Sequence, residues 1–253
     1  MNRKIALITG ATAGIGYETA NLLAQNNYNL ILTGRRNERL ESLKTNLEST
    51  FGCKTLLLTF DIRSRKATET ALNSIPDDWR AIDVLINNAG LAAGLGPVNS
   101  ADVDDWENMI DTNVKGLLYT IRTITPWMVE RQSGHVVNIS SIAGKESYPN
   151  GSVYCGSKHA VAAISRAMRI ELMPFGIKVS SIAPGAVDTE FSLVRFRGDK
   201  EKATQVYKGF TPLQAKDIAE TILFVITRPP HVNIDDLLIM PTSQASARDF
   251  HRK

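Results

Sequence analysis

Short aliphatic runs alternate with longer amphipathic stretches from one end of this chain to the other, and no other feature constrains the fold as much. Ile5 to Thr9, Asn29 to Thr33, Thr55 to Phe60, Val84 to Asn87, Val136 to Ser140, Lys178 to Ile182 and Leu237 to Met240 read as strands. Several carry apolar residues at consecutive positions, as strands do when helices cover both faces of a sheet. Helical periodicity fills the intervals: Ile15 to Gln25, Glu38 to Ser49, Lys66 to Ser74, Val103 to Glu130, Ser152 to Met173 and Asp217 to Thr227. Strands alternating with helices predict an α/β protein, a doubly wound parallel sheet joined by right-handed crossovers. No repeat or linker interrupts the pattern, so residues 1–253 are expected to form a single domain. The polar stretch 188–212, with Phe191, Phe196, Tyr207 and Phe210, breaks the rhythm. Long inserts in compact domains often cover a site, so a lid is expected there.

Composition narrows the function. Hydrophobic residues make up 43% and charged residues 22%, enough for a full core and unlike a disordered chain, a collagen or a disulfide miniprotein. The net charge of +3 is small and the basic residues are dispersed, which argues against a nucleic-acid binder. Two cysteines, Cys53 and Cys155, suit a reducing compartment. No apolar run exceeds about five residues, against ~20 for a membrane helix, and no signal-peptide core is visible near the start. A cytoplasmic protein with no membrane partner is expected. Cys155 and His159 stand four apart, but nothing else in the sequence completes a metal site, so no metal is expected.

The first strand runs into Thr9-Gly10-Ala11-Thr12-Ala13-Gly14-Ile15-Gly16 and then a helix. Glycines permit a tight turn and close backbone approach, and the helix N-terminus offers unpaired N–H groups and a positive dipole end to a pyrophosphate. The context is that of a Rossmann-type dinucleotide site. An acid at the tip of the second strand would accept hydrogen bonds from the ribose of NAD. Here the tip reads Thr33-Gly34-Arg35-Arg36. Guanidinium groups make forked, charge-assisted bonds to phosphate, so NADP(H) is predicted, with Arg35 the more direct ligand and Arg36 also able to serve as a solvated helix start.

Tyr154 and Lys158 share one face of a predicted helix. A free tyrosine has a pKa near 10, and a neighbouring ammonium lowers it; a fall of ~2–3 units corresponds to roughly 3–4 kcal/mol. Alone, this spacing usually marks an exposed helix face. Asn87-Asn88-Ala89-Gly90 and Ser140-Ser141 close two strands whose C-terminal ends would open on the same crevice as the glycine turn, and Asn113 lies in the long predicted helix.

These motifs, Thr9 to Gly16, Asn87 to Gly90 and Tyr154 to Lys158, make the chain resemble the short-chain dehydrogenase/reductase family over essentially its whole length. The resemblance implies a catalytic set of Asn113, Ser141, Tyr154 and Lys158, the family's spacing selecting Ser141 over Ser140. Tyr154 would exchange a proton with the substrate oxygen, and Ser141 would bond that oxygen. Lys158 would bias Tyr154 toward ionisation and hold the nicotinamide ribose, and Asn113 would tether a water in a relay ending at Lys158. Cofactor contacts are implied for Gly10, Thr12, Ala13, Gly14, Ile15, Gly16, Arg35, Arg36, Asp61, Ile62, Asn88, Ala89, Gly90, Tyr154, Lys158, Pro184, Gly185, Val187 and Thr189. A homotetramer built through the two long helices is implied as well.

Within the family, Thr189 to Asp199, Asn88 to Ala92 and Asp104-Asp105-Trp106 resemble the NADP-dependent 3-hydroxy acid dehydrogenases, which act on serine, L-allo-threonine and related acids. Pro184 to Thr189 keeps the ordinary family form instead of that branch's glycine-rich one. A small acid needs a cation for its carboxylate. Arg195 is the first candidate, with Arg197 and Lys145 behind it; the alternative is that Arg195 ties the lid to the body or to a neighbouring subunit. Substrate contacts are therefore expected from Ser141, Tyr154 and Arg195. A general carbonyl or 3-oxoacyl reductase would share every catalytic residue, and a non-catalytic NADPH-sensing protein is the reading outside enzymes.

Overall fold

Each aliphatic run becomes a strand, and the alternation along each strand sorts its side chains into two layers. The computed structural model describes residues 3–253; Met1 and Asn2 lie outside the described residues. The first half comprises β1 (Lys4–Thr9), α1 (Gly14–Gln25), β2 (Tyr28–Gly34), α2 (Asn37–Phe51), β3 (Thr55–Thr59), α3 (Arg65–Asn73), β4 (Ile82–Asn87) and α4 (Val103–Ile110). The second comprises α5 (Leu117–Arg131), β5 (Gly134–Ile139), α6 (Ser152–Leu172), β6 (Ile177–Pro184), β7 (Val187–Asp188), α7 (Glu190–Arg195), α8 (Lys200–Gln205), β8 (Leu213–Gln214), α9 (Ala215–Ile226) and β9 (Asp236–Ile239).

Seven strands form one parallel sheet in the order β3-β2-β1-β4-β5-β6-β9. Ala6, Ile8, Leu30, Leu32, Val84 and Ile86 face one layer with Leu23 of α1, Leu40 of α2 and Ile222 of α9. Leu7, Ile31, Leu85 and Val136 face the other, with Leu72 of α3, Ile124 of α5 and Met168 of α6. The order reverses at β1 and β4, where successive crossovers leave toward opposite edges of the sheet and a crevice opens at the strand C-termini.

One feature differs from the sequence reading and two add to it. The long helix expected from Val103 to Glu130 is two helices separated by a π-helical turn, Asp111–Gly116. A π turn takes an extra residue without breaking the amphipathic face, so periodicity does not register it. The insert is folded, carrying α7 and α8, and the parallel pair Val187↔Leu213 and Asp188↔Gln214 closes its base. The tail from Ser243 packs on its own chain: Phe250 meets Phe210 at 4.9 Å and Lys253 N–H donates to the Gly209 carbonyl at 2.8 Å.

A buried histidine gives this core a pH signature. His135 on β5 lies 2.8 Å from the Ser180 hydroxyl, which itself donates to the Ile234 carbonyl at 2.6 Å. The hydroxyl has one proton and spends it on Ile234, so His135 Nε2 is the donor. Burial first, and then the charge of Lys178, push the imidazole down to about 3. The folded protein thus keeps His135 neutral while the unfolded chain takes up a proton below the ordinary 6.5. Stability is therefore lost as pH falls from 6.5 toward 3, by up to about 1.4 kcal/mol per pH unit from this residue. His135→Gln is expected to flatten that slope, as read from urea midpoints at fixed protein concentration.

Candidate active site

With the exception of Gly16, every residue the sequence assigns to a dinucleotide lines one cleft at the C-terminal edge of the sheet, and Ser141 lines it too. Gly10 begins the turn with φ +69°, a conformation that favours glycine. Gly16 lies beneath, where a Cβ would overlap the Gly10 carbonyl oxygen and the Asn88 amide. Helix α1 starts with no side-chain cap and no acid in its first turn. Its N–H groups and dipole are left for an anion, and this arrangement fits a pyrophosphate.

Arg35 and Arg36 both line the cleft. Arg36 Nε and Nη2 donate to the Thr12 hydroxyl at 3.1 and 2.8 Å, and Nη1 pairs with Glu190 at 2.9 Å. Arg39 pairs with the same carboxylate at 2.7 Å. Arg35 makes no hydrogen bond or ion pair among the described residues, and its charge helps hold the Asp61 carboxyl below the usual range, behind the larger effect of Arg63. An unpaired guanidinium on this rim suits an added phosphate. Asn88 does not present its amide to the cleft; both N–H groups go to the carbonyls of Thr9 and Gly10, at 3.0 and 3.1 Å.

The two serines at the end of β5 separate by hydrogen bonding. Ser140 Oγ donates to the Lys158 carbonyl at 3.2 Å, whereas Ser141 Oγ accepts from Ala143 N–H at 3.1 Å and lowers the pKa of the Tyr154 hydroxyl. Tyr154 and Lys158 are both buried on α6. Lys158 Nζ donates to the Ile139 carbonyl at 2.9 Å, and burial brings its ammonium down to about 8. Burial pushes the Tyr154 phenol up to about 12. Arg195 gives the largest effect opposing that rise, and the hydrogen bond with Ser141 follows.

Asn113, in the π turn, is fully committed. Its Oδ1 accepts from Leu91 N–H at 2.8 Å, and its Nδ2 donates to the Leu91 carbonyl at 2.8 Å and to Ser157 Oγ at 3.0 Å. Its side chain therefore braces the wall instead of holding a water through the amide N–H groups. A Cβ at Gly90 would lie 3.2 Å from Asn113 Oδ1 and 3.3 Å from Lys158 Nζ, so the three converge.

Of the cations weighed for a carboxylate, Lys145 pairs with Asp236, and Arg197 pairs with Asp102 and Asp105. Arg195 has no acid partner among the described residues. Its Cζ lies 4.9 Å above the Tyr154 ring and 5.4 Å from the Phe191 ring, and its Nε is buried without a hydrogen-bond partner. A second cavity, on the other side of Tyr154, is lined by Arg195, Trp106, Met109 and Val153. Glu190 and Phe191 line the cleft and were not assigned to the site by sequence reasoning. Only the aromatic content of the insert hinted at Phe191.

A buried phenol between a hydroxyl and a cation can pass a proton to an oxygen placed beside it. Because burial holds that phenol near 12, ultraviolet titration of the protein is expected to show Tyr154 still protonated at about pH 10, where an ordinary tyrosine is half ionised, together with Tyr28, Tyr148 and Tyr207, which burial also raises. Tyr154→Phe should remove one of these late-titrating groups from the difference spectrum.

The short chain dehydrogenase model matches residues 4–199. A Salmonella typhi protein named NADP-dependent 3-hydroxy acid dehydrogenase is 48% identical over 244 residues, covering 96% of this chain and 97% of the relative. One of the same name from Schizosaccharomyces pombe is 43% identical over 254 residues, 100% of this chain and 98% of its own. Among solved structures, the closed form of a serine dehydrogenase complexed with NADP+ superposes with a TM-score of 0.91 at 44% identity, covering 98% of this chain and 100% of that one. The chain belongs to the short-chain dehydrogenase family, and its sheet, glycine turn and buried Tyr154–Lys158 pair are those of an oxidoreductase.

Proposed function

We propose that this enzyme interconverts a small 3-hydroxy acid, of the serine, L-allo-threonine or 3-hydroxypropionate type, with its carbonyl form, using NADP(H). The observation that carries the reading is Arg195: a cation without an acid partner, stacked on the ring of the buried phenol, is the group an acid substrate needs. The names of the relatives, and the NADP+ in the serine dehydrogenase complex, support the same assignment.

Roles follow from the atoms. Bound in the cleft, the nicotinamide supplies or accepts the hydride, and the protein has only to orient it. Gly10 to Gly16 would cradle the pyrophosphate, Arg35 with Arg36 the added phosphate, Asp61 and Ile62 the adenine side, and Asn88 to Gly90 with Pro184 to Thr189 the nicotinamide half. Tyr154 exchanges its phenolic proton with the substrate oxygen. Ser141 donates to that oxygen as negative charge grows on it. Lys158, with its ammonium near 8, is still charged at neutral pH, so it can hold a ribose hydroxyl and return a proton. Asn113 fixes the Leu91 wall beside Lys158.

The insert 188–212 is read as the lid of a single domain, which its closed base and its apolar contacts to Tyr154 support. Exposed Leu118 on α5 and Ile170 on α6 support assembly of a homotetramer through those helices. Two free cysteines, both buried, fit the cytoplasm, and no helix among the described residues is long and apolar enough to cross a membrane.

The test is a substrate panel read by the absorbance of reduced nicotinamide. Serine, L-allo-threonine and 3-hydroxypropionate are expected to outpace aromatic ketones and acyl thioesters; the reverse order identifies a general carbonyl reductase. Arg195→Ala should raise KM for the acids about ten- to a hundredfold while sparing neutral alcohols. Arg35→Asp is expected to shift the kcat/KM ratio from NADP toward NAD by about tenfold or more, and an unmoved ratio would place the phosphate elsewhere.

A further inference from the structure

We infer that Tyr148 is a positioning residue for Arg195, fixing where the guanidinium offers its free edge and so how tightly an acid substrate is held. The inference rests on the carboxylate role proposed above for Arg195. Two aromatic faces, Tyr154 at 4.9 Å and Phe191 at 5.4 Å, hold the guanidinium but leave it free to turn and slide across them. Attraction to a ring face sets a height, not an in-plane direction. Among the described residues the single directional contact of the guanidinium is Nη2 to the Tyr148 hydroxyl at 3.0 Å. Nε shares that edge and is buried without a partner, so with Nη2 pinned the donor left open and unbonded among the described residues is Nη1. A carboxylate oxygen is the acceptor whose charge matches it.

Tyr148 is itself held. Its ring packs so closely on Gly151 that a Cβ there would overlap it, and Gly151 N–H donates to the Tyr148 carbonyl at 3.3 Å. Gly151 has an ordinary negative φ, so it is the ring, not the backbone, that requires glycine there. Gly151 caps α6, the helix that carries Tyr154 and Lys158. The lid's cation is thereby referenced to the helix of the proton donor. Tyr148 lines neither cavity and acts through Arg195. Burial raises its own pKa, so it stays a neutral acceptor and leaves the charge on Arg195 uncompensated.

Tyr148→Phe deletes the oxygen and keeps the ring that fills the space against Gly151. With 3-hydroxypropionate and NADP+, the expected result is a KM raised about three- to tenfold with kcat unchanged. With propane-1,3-diol, which has a hydroxyl in place of the carboxylate, both constants should stay within about twofold of wild type. In an Arg195→Ala background the same substitution should add nothing, because no guanidinium remains to be aimed. If Arg195→Ala fails to penalise the acid selectively, the carboxylate reading falls. If Arg195→Ala does penalise it while Tyr148→Phe leaves KM alone, adds independently to Arg195→Ala, or lowers kcat on both substrates alike, Tyr148 has no positioning role.

Discussion

One amide holds the site to the sheet. The Asn88 side chain donates to the carbonyls of Thr9 and Gly10, tying the end of β4 to the end of β1 where the strand order reverses. The Thr9 hydroxyl completes the link by accepting from Asn88 and Ala89 N–H groups, both at 3.0 Å. Helix α1 then approaches so closely that Gly16 has no room for a side chain, and its uncapped N-terminus is aimed across the crevice. A second polar ladder, Asn87 to Asn138 at 2.8 Å and Asn138 to Ser165 at 2.9 Å, keeps β4, β5 and α6 in register. Ser141 follows β5 and Tyr154 sits on α6, so their separation is inherited from buried amides that take no part in the chemistry.

Within this frame, desolvation acts on both halves of the Tyr154–Lys158 pair and disfavours charge on each. The phenol rises to about 12 and the ammonium falls to about 8. Both shifts favour the neutral form, and Lys158 Nζ donates to the Ile139 carbonyl. Arg195, which belongs to the insert, is the cation that opposes the rise at Tyr154. The same guanidinium that stacks on the Tyr154 ring at 4.9 Å thus also favours its ionised form.

The sheet was legible because its signal is local: strands buried on both faces need aliphatic runs such as Leu30 to Leu32, whose burial depends on little beyond the fold itself. The cleft was legible for a related reason, since glycines and strand-end motifs have positions dictated by topology. Contacts between distant segments were not. The break at Asp111–Gly116 is hidden because a widened turn leaves the amphipathic face intact. The commitment of Asn113 to Leu91 and Ser157 depends on a loop path that no pattern encodes. The upward push of burial on Tyr154 was hidden as well, because spacing reports proximity and says nothing about how much water has been removed.

The insert is fastened to the body by ion pairs at both ends. At one end Glu190 reaches Arg36 and Arg39, and at the other Arg197 reaches Asp102 and Asp105. Most of these side chains are substantially exposed, and ion pairs of that kind contribute about 0–1 kcal/mol each. Between them lies the apolar seat of Phe191 against Tyr154, at 5.7 Å, with Arg195 over both rings. Weak ionic tethers around a small apolar seat hold the proposed lid at little cost in free energy. Glu190 adds a consequence, because it occupies Arg36 on the rim proposed for the cofactor's phosphate. A dianion arriving there would compete with Glu190 for Arg36 and leave Arg39 as its partner, so the charge that selects the cofactor would also act on the insert.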